Sequence, residues 1–362
     1  MIAITGMGTV CALGSTPEGL FDALCAGRSG LTPDPDAKGP TGRLSQGSFC
    51  TSDMALYACR QALGDYPEPA ELGLVGASTS GDMSVAERAW KAWRKGEELE
   101  SPRHFIWRQL AHVPAQRVAW ELGIQGSRST VSTACTSGTV AISNAVDLVA
   151  SGTVPAALAF GADALCMITR EGFGSLGIYS PEPTRPFDRD RRGMNLGEGA
   201  GALLVEDLDH ALARGARPLA IVTGSGNASD AHHLTAPHPE ARGARAAIQQ
   251  ALQGEAVDVI NAHGTGTPLN DAMEASALAP LGAAVSGVKG AIGHCLGAAG
   301  TLEAIVAVMT LQRGIVPPNV GLENSDFELD LVRTAREMKI DTVLSVNFAF
   351  GGHNAAIALR KA

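Results

Sequence analysis

An α/β fold made of two similar halves is what this 362-residue sequence predicts, and three observations carry that expectation. Short β-branched or aliphatic runs alternate with Ala/Leu-rich helical stretches, the pattern of strands and helices interleaved along one chain. The runs fall into two series whose openings are alike, IAITGMG at 2–8 and AIVTGSG at 220–226, as an internal duplication would leave them. Glycine is abundant: the 43 glycines, about 12% against a usual ~7%, favour tight turns and close backbone approaches over long regular helices.

In order, a strand at IAIT (2–5) with a Thr-Gly turn after it leads to the helical GLFDALCAG. The helix SDMALYACRQAL precedes a strand at 72–78. STVSTAC (129–135) reads as a strand running into the helix SGTVAISNAVDLVASG, and strands follow at 156–163 and 201–207. The second series takes 218–227, 257–264, 285–290, 342–350 and 355–360. The polar stretch at 208–217 separates the series, which gives halves of 1–212 and 213–362 sharing one continuous core. All four tryptophans, at 90, 93, 107 and 120, fall in a polar helical excursion of the first half, where they read as anchors of an insertion or a subunit contact rather than as pocket lining.

Composition removes several classes of function. With 45% hydrophobic and 18% charged residues the chain has material for a large core, so disorder is excluded. Its net charge of −9 contains no basic block, which argues against nucleic acid as a partner. The N-terminus lacks a basic n-region and no apolar run is long enough to span a bilayer, so a cytoplasmic location is expected. Seven cysteines without any C-x-x-C pair suit neither a disulfide framework nor zinc. The GMG and GSG runs do not complete a dinucleotide-binding loop, and a Rossmann cofactor site is discounted.

Chemistry concentrates in four places. Cys135 sits where a strand gives way to a helix, so helix amides and the macrodipole would lower its pKa towards neutrality and offer donors to an oxyanion. An inert, buried cysteine is the alternative. His263, opening HGTGTP, leaves the C-terminal end of a strand, where open α/β sheets place ligands. His294 stands in GVKGAIGHCLGAAG at a similar exit. Singly, each is as well explained as a structural histidine; with Cys135 they form the convergent set that nucleophilic acyl chemistry needs. Lys289 and Glu303 are either a surface pair or a buried one, and their apolar flanks favour burial. The loop NFAFGGHN, with an aromatic and paired glycines, can approach a ligand closely.

TACTSG, HGTGTP, KGAIGHCLGAAG and FAFGGHN, in this order, resemble the signature set of elongating β-ketoacyl-acyl carrier protein synthases in the thiolase superfamily. RPFDRDRRGMNLGEGAGALLVEDLDHALARGA (185–216) and the opening ITGMGTVCALG extend the resemblance from end to end. It implies a five-layered αβαβα fold, a dimer, and no metal or redox cofactor. It implies Cys135 as acyl-accepting nucleophile and His263 and His294 as the pair assisting malonyl decarboxylation. Lys289 and Glu303 would balance that pair, Phe350 would be the gating aromatic, and the amides of Cys135 and Phe350 would form the oxyanion hole. The implied reaction joins a Cys-bound acyl chain to a malonyl unit on an acyl carrier protein, in fatty-acid or specialised polyketide or polyene biosynthesis, as a homodimer or a ketosynthase heterodimer.

The chain departs from the common pattern in its compressed stretch before Cys135, in Ala349 for the first loop glycine, and in Asn347 and His353. Three rival activities fit the sequence less well. A chain-length-factor-like partner subunit ordinarily lacks the nucleophile retained here. A degradative thiolase needs a second cysteine in the C-terminal glycine loop, and a starter-unit synthase lacks the second histidine. Since carrier proteins of these pathways are acidic, as this chain is, docking calls for a local basic patch. Arg94, Lys95, Arg103 and Arg108 on the excursion form one cluster; Arg185, Arg189, Arg191 and Arg192 form another, whose alternative is internal pairing with Asp188 and Asp190.

Overall fold

The computed structural model describes residues 1–44, 49–98 and 102–362, the side chains of 102–104 excepted. The first half runs β1 (Ile2–Cys11), α1 (Pro17–Cys25), α2 (Thr51–Leu63), β2 (Gly73–Ala77), α3 (Met83–Arg94), α4 (Pro102–Arg108), α5 (Val113–Leu122), β3 (Arg128–Val131), α6 (Ser137–Ala150), β4 (Ala156–Asp163), α7 (Met167–Ser175), β5 (Gly199–Asp207) and α8 (Leu208–Ala213). The second runs β6 (Ala220–Ser229), α9 (Arg242–Leu252), β7 (Val259–Asn261), α10 (Pro268–Leu278), β8 (Ala284–Ser286), α11 (Lys289–Ile292), α12 (Ala299–Arg313), the two-residue strands β9 (Ile315–Val316), β10 (Asp330–Leu331) and β11 (Arg336–Glu337), then β12 (Thr342–Phe348) and β13 (His353–Arg360).

Strand order repeats between the halves. β3-β2-β4-β5-β1 in the first is matched by β8-β7-β12-β13-β6 in the second, with parallel pairs at the outer end and antiparallel pairs at the inner end of each. The inner strands meet where Ile2–Ile4 of β1 pair with Ala220–Val222 of β6.

Layering follows from which faces are apolar. One core joins Ala157 and Ala159 of β4, Leu203 and Val205 of β5, Val343 of β12 and Ile357 of β13 to α6 and α12, which lie between the two halves of the one continuous sheet. α12 is buried from Ala299 to Leu311, as a helix packed on all sides must be. On the outer faces, α2 and α5 cover Leu158, Phe160 and Leu204, while α9 and α10 cover Leu344, Val346, Ala356 and Ala358. α9 is amphipathic, burying Ala244, Ala247, Ile248, Ala251 and Leu252 at helical spacing. The result is the five-layered αβαβα arrangement.

The paired glycines of the two openings are not turn residues. β1 and β6 continue as strands through the expected Thr-Gly turns, each with a register shift at its threonine, and the glycines lie beneath the outer helices. A Cβ on Gly6 or Gly8 would stand 1.9 and 2.1 Å from the carbonyls of Ala62 and Ala58 in α2. On Gly224 or Gly226 it would stand 2.2 and 2.0 Å from those of Ala251 and Ala247 in α9. Helix backbone thus rests directly on strand backbone in both halves. The 208–217 stretch contains α8, and 285–290 is strand only to Ser286, because Lys289 opens α11. The tryptophan excursion is helical, as α3 to α5, with Trp90, Trp93, Trp107 and Trp120 all exposed. No helix among the described residues is long and apolar enough to cross a membrane.

Candidate active site

Cys135 lies between β3 and α6, but not at the end of the strand. β3 stops at Val131, and Cys135 occupies a single 3₁₀ turn, Ala134–Thr136, from which α6 starts. Ala134 is held at φ +53°, a left-handed conformation unusual for a residue with a Cβ. Thr133 N–H donates to Ser137 Oγ (2.8 Å), and that hydroxyl donates to Ala134 O (2.6 Å), closing the turn. The second half repeats this construction at the head of α12, where Leu296 has φ +51°.

The thiol is not an activated one. Burial pushes Cys135 up to about 11, against the lowering influence of Lys289 and of the Phe350 and Cys135 amides. The expected shift towards neutrality is therefore corrected: at 6% exposure, loss of water around a thiolate outweighs the donors. Those same two amides are the backbone donors that act on the sulfur.

The two histidines are brought together, their ring centroids 5.3 Å apart and edge-on. Leu296 N–H donates to His294 Nδ1 (3.0 Å), so the neutral ring carries its proton on Nε2, a buried nitrogen without a partner of its own among the described residues. His263 Nδ1 faces two donors, Lys289 Nζ and Asn347 Nδ2, each at 3.2 Å, which also places its proton on Nε2. Burial, and then the Lys289 charge, hold both histidines well below the usual imidazole value. They are neutral N–H donors at physiological pH.

Lys289 and Glu303 form a fully buried ion pair, and Lys289 Nζ also donates to His263 O (2.5 Å). Burial raises the Glu303 carboxyl while Lys289 and Asn347 draw it back down. Four residues that the sequence reading did not single out complete the frame. Glu274 on α10 accepts from the amides of His263 (2.6 Å) and Gly264 (2.8 Å), and Asp271 accepts from those of Thr265 and Gly266. Burial and the neighbouring Asp271 push Glu274 up to about 8. The available signal was an acidic pair three residues apart on a helix opened by Pro268, directly after the glycine-rich HGTGTP. Asp163, at the end of β4, takes hydrogen bonds from Ser78, Thr79, Ser80 and Gly297, and Thr139 of α6 donates to Asn347 Oδ1.

Cys135, His263 and His294 line a cleft of about 360 Å³ whose apolar side includes Phe173, Met194 and Phe350, and whose polar lining includes Thr265 and Thr267. Phe350 stacks on Phe173 (5.7 Å, 21°), and the following Gly351 and Gly352 take φ of +84° and +76°. Ala349 keeps a negative φ, so glycine is not required there.

No described residue of α3 or α4 lines the cleft. Arg94 stacks over Trp90, Lys95 is exposed, and Arg108 is committed to the buried Asp82 (2.8 Å), which leaves it a structural charge rather than a free one. The side chain of Arg103 lies outside the described residues. In the other cluster Arg185 pairs with Glu323 and Arg189 with Asp326, not with Asp188 and Asp190. Asp188 instead receives the amides of Glu323 and Asn324, and Arg191 packs over Phe327 near Asp271. Arg192 is exposed.

Comparison with known proteins agrees with this geometry. Residues 51–211 match the sequence model for the β-ketoacyl synthase N-terminal domain and residues 219–323 that for its C-terminal domain. The chain belongs to the β-ketoacyl synthase family. It is 34% identical to 3-oxoacyl-[acyl-carrier-protein] synthase 2 of Synechocystis sp., covering 99% of this chain and 98% of that protein. Among solved structures, a β-ketoacyl synthase from Burkholderia phymatum superposes with a TM-score of 0.91 at 31% identity, and the ishigamide ketosynthase/chain length factor with 0.92 at 30%; each comparison covers 100% of this chain and 99% of the other. The Synechocystis alignment spans 409 positions against 362 residues here, so this synthase lacks segments that its relative carries.

Proposed function

We propose that this condensing enzyme elongates an acyl chain held on Cys135 with a malonyl unit delivered by an acyl carrier protein, in fatty-acid or specialised polyketide or polyene biosynthesis. Residues 1–212 carry the nucleophile and 213–362 the histidines, in a cytoplasmic dimer. In the first stage Cys135 Sγ loses its proton and bonds to the acyl carbon, and the carrier thiol departs with a proton. The Cys135 and Phe350 amides hold the oxyanion of that step. In the second stage the malonyl C–CO₂ bond breaks, CO₂ leaves, and the electron pair spreads onto an enolate oxygen that accepts from Nε2–H of His263 and His294. The resulting carbon attacks the acyl-Cys carbonyl, and Cys135 leaves and regains a proton. The product is a β-ketoacyl thioester two carbons longer.

The observation that carries this reading is the partnerless Nε2 of His294 beside a second neutral Nε2–H ring, in one cleft with a buried cysteine. Two neutral donors suit a developing enolate, whereas imidazolium would favour trapping a carboxylate. The threonine hydroxyls in the lining suit a polar tether reaching in from a carrier. The retained Cys135 favours the catalytic side over a chain-length-factor-like partner.

Intact mass spectrometry with a panel of acyl carriers followed by malonyl carrier tests it. Acyl mass is expected on the wild type and not on Cys135→Ala, with a product two carbons longer after malonyl carrier. Acyl loading of Cys135→Ala at the wild-type rate removes Cys135 from the mechanism, and a loaded enzyme that never extends its chain favours the partner-subunit reading.

A further inference from the structure

Asn347, near the end of β12, is fully buried beside the histidine site and has no part in the steps above. Its Nδ2 donates to Glu303 Oε2 at 2.6 Å and lies 3.2 Å from His263 Nδ1, and its Oδ1 accepts the Thr139 hydroxyl at 2.5 Å. The amide cannot be turned round, because its oxygen would then face the Glu303 carboxylate and the unprotonated nitrogen of His263, two acceptors. Lys289 has three protons for His263 O, Glu303 and His263 Nδ1, and none to spare for the second carboxylate oxygen. Among the described residues Asn347 alone serves that oxygen, and it gives His263 Nδ1 a second, neutral donor of fixed planar geometry.

Its third contact has a different origin. Thr139 belongs to α6, 124 residues before His263 but four residues after Cys135. The contact exists because α12 approaches α6 at a glycine: a Cβ on Gly300 would stand 2.2 Å from Thr139 Oγ1 and 3.0 Å from Asn347 Oδ1. One buried amide therefore touches the nucleophile helix, the Glu303 carboxylate and the His263 ring.

We infer that Asn347 is a positioning residue for decarboxylation, holding the His263 ring with Nδ1 as acceptor and tying it to the nucleophile helix through Thr139. This rests on the reading of the histidine pair given above. Removing the amide leaves Glu303 Oε2 without a donor and frees the ring to reorient, while the Cys135 turn and its amides keep their own hydrogen bonds.

The test uses the full-length enzyme and its N347L variant, similar in size and without donors, with N347S in its place if circular dichroism shows N347L unfolded. Histidine labelled with ¹⁵N reports each ring nitrogen, and acylation of Cys135 and decarboxylation of malonyl carrier are timed separately. The His263 Nδ1 resonance is expected to move while that of His294 stays, kcat for decarboxylation to fall roughly tenfold, and acylation and KM to change less than about twofold. T139V is expected to act in the same direction and more weakly. An unmoved His263 resonance, or acylation falling as far as decarboxylation, overturns the inference. A wild type that does not decarboxylate malonyl carrier refutes the reading of the site instead, and the resonance still decides whether Asn347 holds the ring.

Discussion

At the scale of single residues, burial sets the chemistry of the site, and it acts oppositely on its two kinds of group. It keeps Cys135 a thiol, with a pKa near 11, and it keeps His263 and His294 neutral. Below its pKa the thiolate fraction of Cys135 rises about tenfold per pH unit, so alkylation of Cys135 by iodoacetamide should keep climbing from about pH 7 to about pH 10. A plateau near neutrality would show an activated thiolate. The histidines titrate below the usual imidazole range, so decarboxylation should not decline as pH falls through about 6.5; an acid limb centred there would show that one of them takes up a proton in the working range. Their folded-state stability contribution has the matching sign. It is fully present above about 6.5 and is lost as pH falls towards the depressed folded values, because only the unfolded rings then bind protons readily.

His263→Ala and His294→Ala separate the two stages. The hydrogen bonds that close the Cys135 turn involve neither histidine, so both variants should accept an acyl group while losing most malonyl decarboxylation, on the order of a hundredfold for loss of an oxyanion donor. Normal decarboxylation in either variant would remove that histidine from the step assigned to it.

At the scale of elements, the site depends on how closely α6 and α12 cross between the two halves of the sheet. A Cβ on Gly138 would lie 2.8 Å from Thr301 N, and one on Gly300 2.5 Å from Thr139 N, both of them backbone atoms that cannot swing aside. Gly138→Ala or Gly300→Ala should push the helices apart and cost about 1–3 kcal/mol, seen as a lower urea midpoint with an unchanged slope. Because Glu303 rides on α12 and Cys135 precedes α6, activity should fall further than stability alone explains. Full activity with unchanged stability would mean the crossing is looser than drawn. The acidic pair on α10 works at the same scale, since Glu274 and Asp271 collect the amides of residues 263–266 and so fix the direction from which His263 enters the cleft.

For the whole molecule, the open question of function is where an acidic carrier meets an acidic enzyme. The segment bearing Arg185, Arg189 and Arg192 borders the cleft lining, for Thr184 donates to Thr265 O (3.2 Å) and Met194 lines the cleft, whereas no described residue of α3 or α4 does. Charge reversal at Arg189 and Arg192 should therefore weaken turnover of carrier-bound substrate several-fold, most at low salt, and spare small thioester mimics. Equal loss with both substrates would point to damage in the cleft, and no loss would exclude this face as the docking site. Arg94→Glu is expected to leave both rates unchanged.

Local sequence determined much of this protein. Alternating aliphatic and Ala/Leu-rich runs specified the strands and helices, the two GxG openings marked the duplication, and TACTSG, HGTGTP and KGAIGHCLGAAG marked Cys135, His263, Lys289 and His294, because chemistry at strand exits demands small residues around one reactive side chain. Tertiary structure alone decided the rest. Whether the GxG glycines turn or lie flat depends on α2 and α9 resting on them, and the Cys135 pKa depends on how much water the folded cleft excludes. Arg108 is tied to Asp82, 26 residues away, and Asn347 meets Thr139 across 208 residues. Such partners are set by the crossing of helices and the pairing of strands distant in sequence, and periodicity, which reports only which face of an element is apolar, carries no record of what that face will touch.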